Sequence, residues 1–203
     1  MDIRFVTSGG GDAVAVMGGE GGQLFAAGQA LDAASSGRIG KALKAARFTG
    51  ATGQAVDVFA PDGVDYQRVI VIGVGKADAA DAMAVERWAG AAVKRMLTGG
   101  AEKIALMPDA LPGVAAADVA AHAAMGARLA AYRFDTYRTK MKPDQTPTLK
   151  AVDIVTRRPG RSLPWATPSN APMPSFSICA GARISTSTPS VSRSRRRSAK
   201  LSG

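Results

Sequence analysis

The sequence predicts an α/β fold for residues 1–155, with a mixed central sheet flanked by helices, followed by a disordered basic tail over residues 156–203. Short apolar runs of strand length alternate with longer segments of helical periodicity, which is typical of this class. The runs Ala13–Met17 and Gln67–Gly73 contain almost continuous Val, Ile, Ala and Met. Such strands are buried on both faces, so helices are expected above and below the sheet.

In the first half of the chain, Asp2–Thr7 is predicted as an opening strand because apolar side chains precede a glycine turn. Ala13–Met17 follows as a buried strand. Two helices, separated by Gly37, are predicted where apolar residues recur every three or four positions. They cover Gln23–Ala34 and Arg38–Arg47.

In the second half, Pro61-Asp62-Gly63 is a turn signal between two strands, Val56–Ala60 and Gln67–Gly73. A helix with a clear apolar stripe follows, with Asp78 as its expected N-cap and Gly99-Gly100 as its end. Alanine-rich sequence predicts a last helix. The predicted helices are Ala79–Thr98 and Val114–Ala131, and the remaining predicted strands are Lys103–Met107 and Leu149–Val155.

The net charge of +10 lies almost entirely in the tail. Residues 1–156 contain all 16 acidic residues and have a formal charge of +1, whereas residues 157–203 contain no acid and have a charge of +9. Two interpretations remain open: a basic arm that binds nucleic acid or anionic lipid, or a segment translated out of frame. The second is favoured because the change in composition is sudden and GC-rich codons read one base off give Arg, Ser and Pro.

Composition also limits the class of protein. There is no run of 18 apolar residues, so no membrane span is expected, and the N-terminus lacks the pattern of a signal peptide. The single cysteine, Cys179, lies in the tail, which fits a reducing compartment. A cytoplasmic location is therefore expected.

The stretch Gly73-Val74-Gly75-Lys76 invites comparison with phosphate-binding loops. A Walker loop requires glycine where Ile70 stands and Ser or Thr where Ala77 stands, and a dinucleotide fingerprint requires glycine at Asp78. We therefore expect a turn at the end of a strand, with at most a weak anion contact at the next helix start.

No catalytic, cofactor-binding or metal-binding residue is predicted. The only histidine, His122, stands in an alanine-rich helix and is expected to pack or face solvent. The nearest acidic pairs are Asp62/Asp65 and Asp78/Asp81, at a turn and a helix start, where Asp commonly forms local hydrogen bonds. They do not resemble the carboxylate cluster of a two-metal site.

Two basic stretches could contact phosphates. Tyr132–Lys142 interleaves aromatic and basic residues, which can serve nucleic acids, but a connector packed on a neighbouring domain is the favoured interpretation. Arg195-Arg196-Arg197 could contact phosphates or act as a localisation signal if the tail is genuine. Nucleic acid is thus expected as a partner only through the tail.

Three stretches together resemble the N-terminal domain of the leucyl aminopeptidases (cytosol aminopeptidase, peptidase family M17). They are Phe48–Gly53 (FTGATG), Arg68–Lys76 (RVIVIGVGK) and Gly126–Lys140 (GARLAAYRFDTYRTK), and their order and spacing agree with that domain. The resemblance covers about residues 1–155. It implies a sheet similar to that of macro domains, within cytoplasmic two-domain enzymes that are usually hexamers.

The resemblance also implies what the rest of such a protein does. In the family, a C-terminal domain binds two divalent ions, zinc or manganese, through a Lys, several Asp and a Glu, and a metal-bridging water removes N-terminal residues from peptides. Its Asn-Thr-Asp-Ala-Glu-Gly-Arg signature is absent from this sequence. We therefore expect a truncated, inactive family member, broken by a frameshift near residue 156. The alternatives are a macro-like domain that binds a nucleotide or ADP-ribose, and a nucleic-acid binder.

Overall fold

The computed structural model describes residues 1–133 and 145–156. All of them fall within one compact unit. The predicted disorder of the tail and the boundary at residue 155 concern residues largely outside this range and stay predictions.

The described chain forms a mixed sheet with helices on both faces, as predicted. The strands are β1 (Asp2–Val6), β2 (Ala13–Gly19), β3 (Gln23–Leu24), β4 (Ala55–Phe59), β5 (Arg68–Gly75), β6 (Lys103–Met107) and β7 (Ala151–Val155). The α-helices are α1 (Ala26–Ala34), α2 (Arg38–Ala45), α3 (Ala82–Met96) and α4 (Ala116–Ala130). Short 3-10 turns occupy Glu20–Gly22 and Ala77–Ala79.

The sheet has the order β1-β7-β6-β2-β5-β4, and β3 pairs with β2. Strands β1, β7, β6, β2 and β5 are mutually parallel, whereas β4 is antiparallel to β5 and β3 to β2. The sheet is therefore mixed, and the carboxyl ends of its five parallel strands share one edge. Ligands of open α/β sheets bind at such an edge.

Alternating residues of β2 and β5 face opposite layers of the core. One layer lies under α3 and α4 and contains Met17, Ile70 and Trp88. The other lies under α1 and α2 and contains Val16, Val71 and Leu43. Every residue of β2 is buried, which confirms the expectation drawn from its apolar sequence.

Helix α3 confirms the predicted stripe but not its predicted start. Val85, Trp88, Ala92 and Met96 are buried, while Arg87, Lys94 and Thr98 are exposed. The helix begins at Ala82, because the carboxylate Oδ1 of Asp81 accepts the backbone N–H of Ala84 at 2.8 Å. Asp78 was the wrong cap: it lies in the preceding 3-10 turn, one turn too early.

The first predicted helix also begins later than expected. Gln23 and Leu24 pair with Gly18 and Gly19 in an antiparallel hairpin, closed by the turn Glu20–Gly22. Leu24 nevertheless packs on the α1–α2 side of the core. Leu24 therefore faces the core, as the helical periodicity predicted, but it lies in β3 and not in a helix.

Helices α3 and α4 cross at two glycines. A Cβ atom on Gly126 would lie 2.2 Å from the backbone oxygen of Glu86, far inside contact distance. The facing Gly90 has more room, with its nearest neighbours at 3.5 and 3.6 Å. The absence of a side chain at Gly126 therefore sets how closely the two helices approach.

Candidate functional site

The carboxyl edge of the sheet is the first place to look for a site, and it holds the glycine stretch of β5. The strand continues through Gly73 to Gly75 and then enters the Ala77–Ala79 turn. The expected turn therefore comes two residues later than predicted, after Gly75. Lys76 is exposed and lies 4.0 Å from the carboxylate of Glu20.

The loop at residues 48–54 packs directly on this stretch. The N–H of Gly73 donates to the carbonyl of Gln54 at 2.8 Å, and that of Gly75 donates to the carbonyl of Gly50 at 3.0 Å. A Cβ on Gly73 would lie 2.3 Å from the carbonyl oxygen of Ala51. The glycine is needed for this close backbone contact, and two N–H groups that a phosphate loop would present to a ligand are already bonded.

A side-chain amide organises the same loop. Oε1 of Gln54 accepts the N–H of Thr49 at 2.9 Å, the hydroxyl of Thr49 at 2.9 Å and the N–H of Gly50 at 3.1 Å. Convergent N–H and O–H groups of this kind bind anions when they are open. Here the side-chain oxygen Oε1 of Gln54 occupies the position that an anion would take.

The first turn of α1, at the same edge, is also bound by a side chain of the protein itself. Asp109, in the loop after β6, accepts the N–H of Ala27 at 3.0 Å through Oδ1. A carboxylate there satisfies an N–H of the first helical turn and complements the positive end of the helix dipole. The described contacts at this edge thus resemble an anion-binding crevice filled by the chain itself.

His122 is held between α3 and α4. Its Nδ1 lies 2.6 Å from Oε1 of Glu86, and both side chains are partly exposed. The predicted packing or surface role agrees with this position. The partner could not be inferred from the sequence, because the two residues are 36 positions apart and meet only through the helix crossing.

The acidic pairs singled out from the sequence lie at a turn and at a helix start, as predicted, and Asp81 forms the local hydrogen bond expected there. Asp62 and Asp65 are exposed, and Asp62 forms an ion pair with Arg38. Asp81 caps α3, and Asp78 is exposed nearby. Within residues 1–133 and 145–156, no group of three or more His, Cys, Asp or Glu could hold a metal ion.

Two other acids, not singled out from the sequence, are paired with cations: Asp153 is buried, and Asp57 is partly buried. Asp153 on β7 has a side chain only 3% exposed and lies 2.8 Å from Nε of Arg4 and 2.7 Å from Nζ of Lys103. Asp57 on β4 accepts from Arg68 and Arg95. Each carboxylate is neutralised by two basic side chains, as buried charges require.

The Asp153 cluster also involves a tyrosine. The hydroxyl of Tyr66 donates to the carbonyl of Gly9 at 3.0 Å. Burial raises the pKa of Tyr66, and the negative charges of Asp65 and Asp153 raise it further. The phenol therefore stays protonated beyond its usual range and acts as a hydrogen-bond donor in the fold.

The last candidates lie mostly outside the described residues. Of Tyr132–Lys142, only Tyr132 and Arg133 are described; Tyr132 is 75% exposed. Arg195-Arg196-Arg197 and Cys179 fall outside the described range. Within that range, no helix is both long and apolar enough to cross a membrane.

This architecture defines the chain as an α/β domain of macro-domain type. Macrodomains of Oceanobacillus iheyensis and of Thermus aquaticus DarG share the fold, with TM-scores of 0.53 and 0.52 at 10% and 13% identity. They cover 71% and 76% of this chain, and the chain covers 77% and 97% of them. A mutant tomato leucine aminopeptidase gives a TM-score of 0.64 at 21% identity, over 79% of this chain and 33% of that one.

The family follows from the sequence. Residues 13–141 match the family model described as "Cytosol aminopeptidase family, N-terminal domain". The chain therefore belongs to the cytosol aminopeptidase family, as the resemblance of its three stretches indicated.

Its relatives are considerably longer. A Caulobacter vibrioides protein named "Probable cytosol aminopeptidase" is 39% identical over 163 residues, which is 78% of this chain and 32% of that protein. A protein of the same name from Bradyrhizobium sp. is 35% identical over 130 residues, 63% of this chain and 26% of its own length. The chain thus spans about a third or less of these relatives.

Proposed function

We propose that this chain is the non-catalytic N-terminal domain of an aminopeptidase, separated from its catalytic domain by a frameshift near residue 156. The observation that carries the proposal is the match of residues 13–141 to the family's N-terminal domain. The relatives' remaining two thirds would supply the catalytic chemistry. The acid-free composition after residue 156 supports an out-of-frame tail.

The carboxylates of Asp57 and Asp153 are occupied by ion pairs in the described part of the chain. A two-metal hydrolytic site needs several carboxylates converging on ions about 3.5–4 Å apart. Asp57 and Asp153 are instead each held between two cations. The described residues do not provide a ligand set for zinc or manganese, so no metal-dependent step is assigned to them.

In the complete protein, this domain would contribute to assembly and to access to the active site. Its partners would be the catalytic domain, which would hold the two divalent ions, and the other subunits of a hexamer. Tyr132–Lys142 would lie at the surface that meets the catalytic domain. The setting would be the cytoplasm, in keeping with relatives named cytosol aminopeptidases.

A peptidase assay tests the lack of activity. The purified full chain is incubated with leucine p-nitroanilide and manganese, beside the Caulobacter vibrioides relative and a mock preparation from the same host. We expect release equal to the mock preparation. Release that co-elutes with the chain and scales with its concentration would show that the chain is catalytic on its own.

The nucleotide-binding alternative rests on the fold alone, because the macrodomains are only 10–13% identical. The hydrogen bonds from Gly73, Gly75 and Thr49 to the chain's own oxygens oppose it.

The nucleic-acid alternative rests on the charge of residues 157–203. It predicts binding that falls steeply with salt and vanishes when those residues are deleted.

A further inference from the structure

The outer face of α4 carries an apolar stripe. Met125, Leu129 and Tyr132 are 45%, 62% and 75% exposed. Met125 and Leu129 are four residues apart, so they lie on the same side of α4, and Tyr132 follows two residues after the helix ends at Ala130. They account for three of the five large hydrophobic side chains exposed among the described residues. A solvent-facing helix surface is normally polar, so this stripe indicates a binding surface.

The stripe is complementary to itself when a second helix runs antiparallel to it. With Met125 placed at the centre, Leu129 faces Ala121 of the other copy, because both are four residues from the centre. A large side chain thus meets a small one.

The charges along α4 favour the same arrangement. Asp118 lies in the first turn of the helix and Arg128 in its last turn. Both are exposed. Antiparallel pairing brings the acidic end of each helix to the basic end of the other, whereas parallel pairing would place like charges together. This self-complementarity identifies a second copy of the chain as the partner that best fits the surface.

We propose that two copies of this chain associate through α4, antiparallel across a two-fold axis near Met125. Away from the axis of such an interface, each residue contacts a different residue of the partner and the partner reciprocates, whereas a residue at the axis meets its own copy. The paired stretch, from Ala121 to Leu129, is about 12 Å long at 1.5 Å per residue. A single helix pair lies at the low end of interface sizes, so the dimer is weak and concentration-dependent.

Sedimentation of the full chain tests the association, from about 1 μM to about 0.5 mM in about 0.15 M salt. We expect a monomer–dimer equilibrium that Met125→Glu weakens at least about tenfold, because a carboxylate at the centre would meet its own copy. Phe59→Glu is the control: it removes a large apolar side chain on β4 that is 68% exposed, against 45% for Met125, and it should leave the equilibrium unchanged. A monomer throughout, or equal effects of both variants, would overturn the proposal.

A cross-linking experiment tests the position of the axis. Cys179→Ser removes the only thiol of the chain, and Met125→Cys is then introduced. Mild oxidation should give a disulfide-linked dimer, because residues near a two-fold axis face their own copies. Lys94→Cys, exposed on α3, should stay largely monomeric. Cross-linking that is equal at the two positions, or greater at residue 94, would contradict the proposed axis.

Discussion

The crossing of α3 and α4 offers two substitutions of the same chemistry with opposite expected effects. Gly126→Ala would place a methyl group 2.2 Å from the backbone oxygen of Glu86 and 2.8 Å from its Cα. Gly90→Ala, on the facing helix, would place one 3.5 Å from the backbone oxygen of Gly126 and 3.6 Å from the Cβ of Ala130. The first position is overfilled, while the second is at ordinary contact distance.

The magnitudes follow from two opposing contributions. Alanine in a helix interior is favoured over glycine by about 1 kcal/mol at either position. At Gly126, the helices must also separate by about 1 Å, since the contacted atoms are backbone and cannot rotate away. Overpacking of this kind costs about 1–3 kcal/mol, and the weakened contacts along the interface add to it. After the propensity gain is subtracted and the weakened contacts are added, we expect a net loss of about 1–2 kcal/mol for Gly126→Ala and a gain of about 0.5–1 kcal/mol for Gly90→Ala.

Urea unfolding followed by far-ultraviolet circular dichroism measures both effects. The midpoint should fall for Gly126→Ala and rise slightly for Gly90→Ala, with little change in slope if the unfolded states are alike. If Gly126→Ala were neutral or stabilising, α3 and α4 could not approach as closely as described. The close approach of the two helices would then not explain why glycine stands at position 126, the first residue of the Gly126–Lys140 stretch.

Three further predictions concern the buried charges and the carboxyl edge. Asp153→Ala should lower the free energy of unfolding by about 1–3 kcal/mol in urea titrations, because it leaves Arg4 and the partly buried Lys103 without their shared carboxylate. As a control, removal of the exposed carboxylate of Glu102 should change the free energy of unfolding little. Because the pKa of Tyr66 is raised in the folded protein, its contribution to the free energy of unfolding is fully present below the pKa of the unfolded state. That contribution is lost as the pH rises through the higher pKa of the folded state. Tyr66→Phe should therefore be less stable than the parent at pH 7 and should lose less stability above about pH 10, as measured by unfolding at each pH. ADP-ribose should leave the thermal midpoint unchanged, and a concentration-dependent rise would support the nucleotide-binding alternative.

The sequence was sufficient for the elements whose pattern reports burial directly. Continuous apolar residues identified β2 and β5, and helical periodicity identified α3. The exact starts of the helices were harder to predict from the sequence. Asp78 and Asp81 are equally good caps by residue type, and only the intervening 3-10 turn decides between them.

Interactions between distant residues could not be inferred from spacing. The pairing of His122 with Glu86 and of Asp153 with Arg4 joins positions 36 and 149 residues apart. Such contacts depend on sheet order and helix crossing, neither of which is visible in local sequence. The stripe on α4 could have been found, since Met125 and Leu129 already have helical spacing, but their exposure required the structure.

The reading frame beyond residue 156 is the most direct test of the account. The gene should be resequenced through codons 145–203 and about 300 codons beyond, roughly the length by which the Caulobacter vibrioides relative exceeds this chain, and translated in all three frames. We predict that a shifted frame restores a helix after Val155 and, further on, the Lys, Asp and Glu residues of the family's metal site. If no frame encodes such a cluster, residues 156–203 are a genuine tail, and the chain is not a broken aminopeptidase.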